Sequence, residues 1–118
     1  MIARVWRGWT SPASADAYEG LLKTEIFPGI FAKKLDGLLG IELFRRELGE
    51  ETEFMTVMRF ASQDAVTAFV GEDHDAAYVP AAARAILARF DERAAHYEVR
   101  AGHGAPAAPP RPGVQSRA

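Results

Sequence analysis

Two extended runs stand close together in this chain, Leu39-Gly-Ile-Glu-Leu-Phe-Arg-Arg-Glu-Leu48 and Thr52-Glu-Phe-Met-Thr-Val-Met-Arg-Phe60. Both runs are rich in aromatic and β-favouring residues, and Gly49-Glu-Glu51 lies between them. A short connection that contains glycine between two such runs indicates a β-hairpin. The stretch 38–60 therefore predicts two adjacent antiparallel strands, and the rest of the fold is built around them.

Large apolar side chains lie on both faces of the predicted hairpin. Residues two apart in a strand share a face, so Ile41 and Leu43 point one way and Phe44 points the other. In the second run, Met55 and Val57 share one face, and Phe54, Met58 and Phe60 share the other. A sheet with one face in water carries polar residues on that face. Because so short a chain cannot cover both faces with its own helices, we infer a partner subunit, a ligand or both.

The residues before the hairpin predict one strand and one helix. Ile2–Trp9 is the first predicted strand, and Ser14 is a favourable N-cap for the helix that follows. That helix carries an apolar stripe at helical spacing, made by Tyr18, Leu21, Leu22 and Ile26. We expect Pro28-Gly29 to end it.

The residues after the hairpin predict two shorter helices and a last strand. Ser62 is a favourable N-cap, and Gly71 ends the helix that it begins. Pro80 suits the first turn of a third helix, which we expect to continue through Phe90. Ala95–Ala101 is the last predicted strand.

The order strand, helix, strand, strand, split helix, strand is that of the split βαβ arrangement. It predicts an α+β, ferredoxin-like fold with a four-stranded antiparallel sheet and helices on one face. The side chains expected under the helices are Ala3, Val5, Ile41, Leu43, Met55, Val57, Tyr97 and Val99. Those expected on the open face are Arg4, Trp6, Phe44, Arg46, Phe54, Met58, Phe60 and Glu98.

Length and composition restrict the function classes. The 118 residues suit one domain, over 1–101, and the Pro- and Ala-rich stretch 102–118 is predicted to be a flexible tail. Cysteine is absent, which excludes a disulfide framework and a thiolate metal site. Without a signal peptide or an apolar run near the roughly 18 residues of a membrane span, we expect a cytoplasmic protein that does not contact a membrane.

The charge balance argues against a nucleic-acid partner. The chain has a formal net charge of −2, from 14 basic and 16 acidic side chains. Two of the basic residues, Arg111 and Arg117, belong to the predicted tail, so the domain itself is more acidic than the whole chain. Affinity for nucleic acid comes mainly from neutralising phosphates, which this domain does not favour.

In its strand and helix pattern, the chain resembles the antibiotic biosynthesis monooxygenase family over about residues 1–101. The resemblance rests on Met1–Trp9, the hairpin, the strand-to-helix step Phe60–Phe69 and the closing strand His96–Arg100. It implies a homodimer in which two sheets face each other as an α+β barrel. It also implies a site between sheet and helices or within that barrel, where relatives oxidise aromatic polyketides with O2 and no cofactor, or degrade haem.

The residues on which those relatives rely are replaced here. Quinone-forming members resemble one another in an Asn and a Trp on the third strand, and the matching positions hold Thr56 and Phe60. Haem-degrading members use an Asn, a Trp and a His, and the matching positions hold Trp6, Phe69 and Val79. The resemblance thus implies the fold, and the chemistry has to be argued from the residues present.

The candidate site residues are those that an oxidisable aromatic ring needs. The apolar lining is assigned to Trp6, Phe44, Met58 and Phe60, with Tyr78 as a hydrogen-bond donor. Arg4 supplies positive charge, and His74 is the best candidate for proton transfer near neutral pH. We expect no metal and no cofactor, since the residues that flank His74 are too close in sequence to converge on one ion.

Three functions fit this set of residues. The first is a cofactor-independent monooxygenase that acts with O2 on a small aromatic, polyketide-like or phenolic substrate. The second is a non-catalytic, small-molecule-binding or stress-associated dimer, which the missing Asn and Trp favour. The third is a haem-binding or haem-degrading protein, for which His74 is the only plausible axial ligand.

Overall fold

A computed structural model of the protein describes residues 1–104. One antiparallel sheet holds all its strands, and the helices lie on one face, so the predicted α+β, ferredoxin-like fold is confirmed. The strands are β1 (Ile2–Thr10), β2 (Leu38–Glu47), β3 (Thr52–Phe60), β4 (Arg89–Phe90) and β5 (Ala95–Glu98). Their order is β2-β3-β1-β4, and β5 also pairs with β1, so the two short strands share its outer edge.

The helical segments fall before and after the hairpin. Before it lie a 3-10 turn (Pro12–Ser14), α1 (Ala15–Leu21), a π-helical turn (Leu22–Ile26) and α2 (Phe27–Ala32). After it lie α3 (Gln63–Val70) and α4 (Ala81–Arg84). No helix among residues 1–104 is both long enough and apolar enough to cross a membrane. Most of the predicted tail, residues 105–118, lies outside the described residues.

The predicted hairpin is confirmed, but its connection is one residue longer than expected. Glu47 pairs with Thr52, so the four residues 48–51 connect the strands. In this register Ile41 is opposite Met58, so Ile41 shares a face with Met58 and not, as predicted, with Met55. A shift of one residue in register moves a whole set of side chains to the other face. The length of the turn therefore decides which apolar set the helices cover.

The face assignment was right for β2 and wrong for β1, β3 and β5. Ile41 and Leu43 pack against the cores under the helices, and Phe44 lies on the open face, as predicted. Contrary to prediction, the side chains of β1 and β3 that face the helices are Arg4, Trp6, Phe54, Met58 and Phe60, and all five are buried. The open face therefore carries Ala3, Val5, Met55, Val57 and Tyr97. Glu98 and Val99 are exposed at the edge of the sheet.

The prediction that Pro28-Gly29 ends the first helix was wrong. The chain stays helical from Ala15 to Ala32, with Pro28 in the first turn of α2. Pro28 has no N–H to continue the ladder, and it lies just after the π-helical turn, where the ladder already changes to wider bonds such as that from the Phe27 N–H to the Leu22 oxygen. The helix ends beyond Ala32, where Lys34 adopts a positive φ of 52°.

The third helix is shorter than predicted. It ends at Arg84, and Phe90, expected in the helix, instead pairs with Gly8 in the short strand β4. The last strand ends at Glu98 rather than at Ala101. The second predicted helix is confirmed, since the Ser62 hydroxyl accepts a hydrogen bond from the backbone N–H of Ala65 at 3.2 Å.

Candidate functional site

A cavity lies between the helix-covered face of the sheet and the helices. Strands β1, β2 and β3 form one wall, and α1, the π-helical turn, α2, α3 and residues 78–83 form the other. Most of the lining is apolar or aromatic, and its polar members are Arg4, Tyr18, Thr56 and Tyr78. No Asp, Glu or His of the described chain is among the lining residues. The cavity volume is about 40 Å³, room for a few water molecules.

Arg4 brings a buried positive charge to the wall of this cavity. Its side chain is only 3% exposed, and its guanidinium donates to the backbone oxygens of His74 at 2.7 Å and Ala76 at 2.6 Å. It also lies 3.0 Å from Nε2 of His96. Burial lowers the pKa of Arg4 to about 10, although the negative charge of Asp75 opposes this shift. The guanidinium therefore stays charged at neutral pH in a site with little water.

A relay from Asp75 through His96 holds Arg4 in place. Because the guanidinium can only donate, Nε2 of His96 accepts from it, and Nδ1 carries the ring proton. Nδ1 then donates to the carboxylate of Asp75 at 2.8 Å. The relay connects strand β5 to β1 behind the cavity wall, so the position of the charge is set by two elements at once.

Two hydroxyl groups in the cavity lining are available to a ligand. Every fully buried side-chain nitrogen or oxygen among residues 1–104 has a hydrogen-bond partner. The hydroxyls of Tyr18 and Thr56 make no hydrogen bond to any of these residues, so neither hydroxyl can be fully buried. Both residues line the cavity. Burial raises the pKa of Tyr18, which keeps its hydroxyl protonated. Both groups can therefore donate to an oxygen of a bound molecule.

Aromatic rings form the flat surfaces of the cavity. Nε1 of Trp6 donates to the backbone oxygen of Asp91 at 2.7 Å, which fixes the indole and leaves its ring face for packing. Phe69 and Tyr78 pack together with ring centroids 4.9 Å apart. Flat rings on both sides of a narrow cavity favour a planar ligand.

The structure brings together some of the predicted site residues and separates others. Arg4, Trp6, Met58 and Tyr78 all line the cavity. Phe60 is fully buried and packs against Phe69, one layer behind the lining, with ring centroids 5.9 Å apart. Phe44, on the open face, is 49% exposed and lies away from the cavity.

His74 reaches the site through its backbone and not through its ring. Its carbonyl oxygen accepts from Arg4, whereas its imidazole lies 2.8 Å from the hydroxyl of Thr67 and 3.0 Å from the amide of Gln63. Both partners belong to α3. The imidazole is not part of the cavity lining, and among residues 1–104 no three metal-ligating side chains come together around it or elsewhere.

Sequence reasoning missed Tyr18 as a site residue. Its helical spacing marked it as part of the apolar stripe, which is where it lies, but its ring also places a hydroxyl beside the cavity. Thr56, Phe69 and Val79 were singled out only as replacements of family residues, and all three line the cavity. A polar atom within an apolar stripe was the signal that could have identified Tyr18.

Comparison with solved structures identifies the fold. A provisionally assigned antibiotic biosynthesis monooxygenase from Bacillus cereus matches with a TM-score of 0.62 and 16% identity, over 88% of this chain and 97% of that one. The haem degrader MhuD from Mycobacterium tuberculosis, solved with two haems in its active site, matches with a TM-score of 0.54 and 20% identity, over 88% of this chain and 100% of that one. No family model matches the sequence, and neither does any curated protein.

No histidine side chain of the described residues lines the cavity. By the family resemblance, the histidine of haem-degrading members is replaced by Val79, which lines this cavity. The imidazole of His74 lies outside the lining, and that of His96 is bonded to Arg4 and Asp75. The cavity therefore offers haem iron no histidine nitrogen from the described part of the chain.

Proposed function

We propose that this protein is a monooxygenase of the antibiotic biosynthesis type, which uses O2 without metal, flavin or haem. Its substrate would be a small planar aromatic, polyketide-like or phenolic, bound in the cavity between sheet and helices. The observation that carries the proposal is a narrow aromatic cavity with one buried cation, Arg4, and two available hydroxyls, those of Tyr18 and Thr56. The fold shared with the two solved structures supports it.

The chemistry follows from stabilising an anion of the substrate. An anthrone loses a proton from its CH2 group, and the resulting enolate oxygen is favoured by the Arg4 charge and by donation from Tyr18 and Thr56. The enolate reduces O2, a C–O bond forms, and the peroxide takes up the proton as a hydroperoxide. Loss of water then leaves a carbonyl in place of the CH2, so one oxygen atom enters the product and the other leaves as water.

The site works without a side-chain base in the cavity lining. Since no Asp, Glu or His lines it, solvent takes the proton, and the buried charge of Arg4 lowers the cost of the anion. A volume of about 40 Å³ is too small for a tricyclic ring, so the cavity has to widen when the substrate enters. Leu22 and Ile26 of the π-helical turn line it, and such turns are frequent at functional sites.

We expect purified, metal-free protein to consume O2 with an anthrone faster than the spontaneous rate. Removing one donor with Tyr18→Phe or Thr56→Val should slow this uptake about tenfold, the upper range for one neutral hydrogen bond. His74→Ala serves as the control and should change the rate by less than about threefold, because its imidazole contacts only α3. Oxygen uptake equal to the blank across a panel of anthrones and hydroquinones would contradict the oxygenase proposal. A loss of about 10²-fold in His74→Ala would restore that residue as the base.

The lack of an acid or base in the lining favours a second candidate, a binding protein without catalysis. Arg4 and the two hydroxyls would then recognise an oxygen-bearing aromatic ligand and leave it unchanged. Tight binding of an anthrone with no O2 uptake above the blank would select this function.

We also propose that the working unit is a homodimer formed through the open face of the sheet. That face carries exposed Phe44 and Tyr97, at 49% and 60%, around half-buried Val5, Met55 and Val57. The described helices all pack on the other face, so a second sheet is the natural cover for this apolar surface. Two sheets facing each other are also what the family resemblance implies.

Titration with hemin should give no sharp Soret shift from histidine ligation. The physical reason is the position of the imidazoles, since His74 is bonded to α3 and His96 to Arg4 and Asp75. Absorbance spectroscopy checks this directly, with His74→Ala as the comparison. A tight one-to-one complex that His74→Ala abolishes would overturn the expectation.

A further inference from the structure

We infer that the ligand is an aromatic acid, with a carboxylate that binds Lys33 at the solvent end of the cavity's aromatic wall. The inference rests on the proposed function, because it assigns the substrate class of the same cavity. It also assigns Lys33 as the residue that determines specificity for the acid. Lys33 follows α2 and is exposed, so its ammonium is accessible to a ligand that protrudes from the cavity.

The ammonium group of Lys33 lies against the rings that wall the cavity. Its Nζ is 4.7 Å from the ring centroid of Tyr78 and 5.8 Å from that of Phe69. It also donates to the Tyr78 hydroxyl at 3.3 Å. An exposed lysine is normally mobile, so three contacts with one aromatic pair place its charge at a defined point beside the cavity.

Lys33 retains donors for a ligand. An ammonium has three N–H groups, and the Tyr78 hydroxyl accepts one of them. No carboxylate of residues 1–104 forms an ion pair with Lys33, in contrast to Lys23, which pairs with Glu19 at 2.7 Å. A bound carboxylate would therefore gain charge-assisted hydrogen bonds without displacing an existing partner.

The charge pattern of the cavity favours an acid over a neutral molecule. Arg4 lies 5.7 Å from the Phe69 ring centroid on the buried side, and Lys33 lies 5.8 Å from it on the exposed side. No acidic side chain of the described residues lines the space. Three N–H groups of the Arg4 guanidinium are already bonded to His74, Ala76 and His96, so Arg4 acts on a ligand mainly through its charge. Lys33 is the cation that is available for direct contact with a carboxylate.

The test compares two probes that differ in one group. We expect 2-naphthoate to bind the full chain about three- to fivefold more tightly than 2-naphthalenemethanol, as measured by calorimetry, which is the upper part of the range for one exposed charge pair. Lys33→Gln should remove most of this preference, leaving only the contribution of the Arg4 charge, and should leave the affinity for the alcohol unchanged within twofold. Lys34→Gln, which removes an equal charge from the next residue, should keep the preference.

The possible results separate this inference from the proposed function. Equal affinity for the two probes, or a preference for the acid that is undiminished in Lys33→Gln, would refute the role of Lys33 while leaving aromatic binding in place. Loss of the preference in Lys34→Gln as well would show only a diffuse effect of charge and would also refute it. If neither probe binds, the aromatic cavity function fails, and the acid assignment fails with it.

Discussion

Replacing Arg4 with methionine should lower the free energy of unfolding by about 3 kcal/mol, although methionine fills much of the same volume. The guanidinium makes hydrogen bonds to two backbone oxygens and to His96 in a site that is only 3% exposed. Bonds from a charged donor contribute about 1.5–3 kcal/mol each, and a buried acceptor left unpaired costs about 1–3 kcal/mol. Urea denaturation followed by circular dichroism measures the change.

Arg7→Met is the matched control on the same strand. Arg7 points to the open face, its side chain is 45% exposed, and it pairs with Asp91 at 3.0 Å. Surface ion pairs contribute about 0–1 kcal/mol, so this variant should lose less than about 1 kcal/mol. Equal losses in the two variants would contradict the burial of Arg4. A larger loss in Arg7→Met would mean that the helices cover the other face of β1.

The sequence predicted the elements better than it predicted their faces. The hairpin, the first strand and the capped helix α3 follow from local signals, and each is present. The faces depend on whether three or four residues connect β2 and β3, and Gly49 fits either turn. Both alternating sets of β3 are apolar, so hydrophobicity could not decide between them. The charge of Arg4 favoured the open face, and this prediction was wrong. The carbonyl and histidine groups that bind the buried guanidinium are distant in the sequence, so local patterns do not reveal them.

The sequence predicted a site residue correctly only where its side chain has a single role in the structure. Trp6 and Met58 were chosen as apolar lining, and the cavity contains them although the assigned face was wrong. Tyr18 serves two purposes, since its ring packs edge-on against Phe54 at 4.9 Å while its hydroxyl remains available. Periodicity detects only the first of these. His74 was selected for its titrating ring, yet the fold uses its carbonyl oxygen, a group that every residue has.

Val57→Asp should turn the proposed dimer into a folded monomer. Val57 lies at the centre of the open face, between Val5 on β1 and Glu42 on β2. Two-fold symmetry would bury two new carboxylates in the interface, and each buried unpaired charge costs several kcal/mol. The dissociation constant should therefore rise by at least about 10³-fold. Sedimentation at micromolar concentration measures the mass, and circular dichroism shows whether the sheet persists.

Met58→Asp is the decisive comparison, because Met58 follows Val57 in β3 and its side chain points to the helix-covered face instead of the open face. Met58 is 6% exposed in the core with Phe60 and Val66, so a carboxylate there should unfold or aggregate the chain rather than release a monomer. The two adjacent substitutions thus separate loss of the dimer from loss of the fold. A monomeric native chain that Val57→Asp leaves unchanged would refute the dimer. A folded, monomeric Met58→Asp variant would mean that the helices cover the face of Val57, and the placement of the cavity would fail with it.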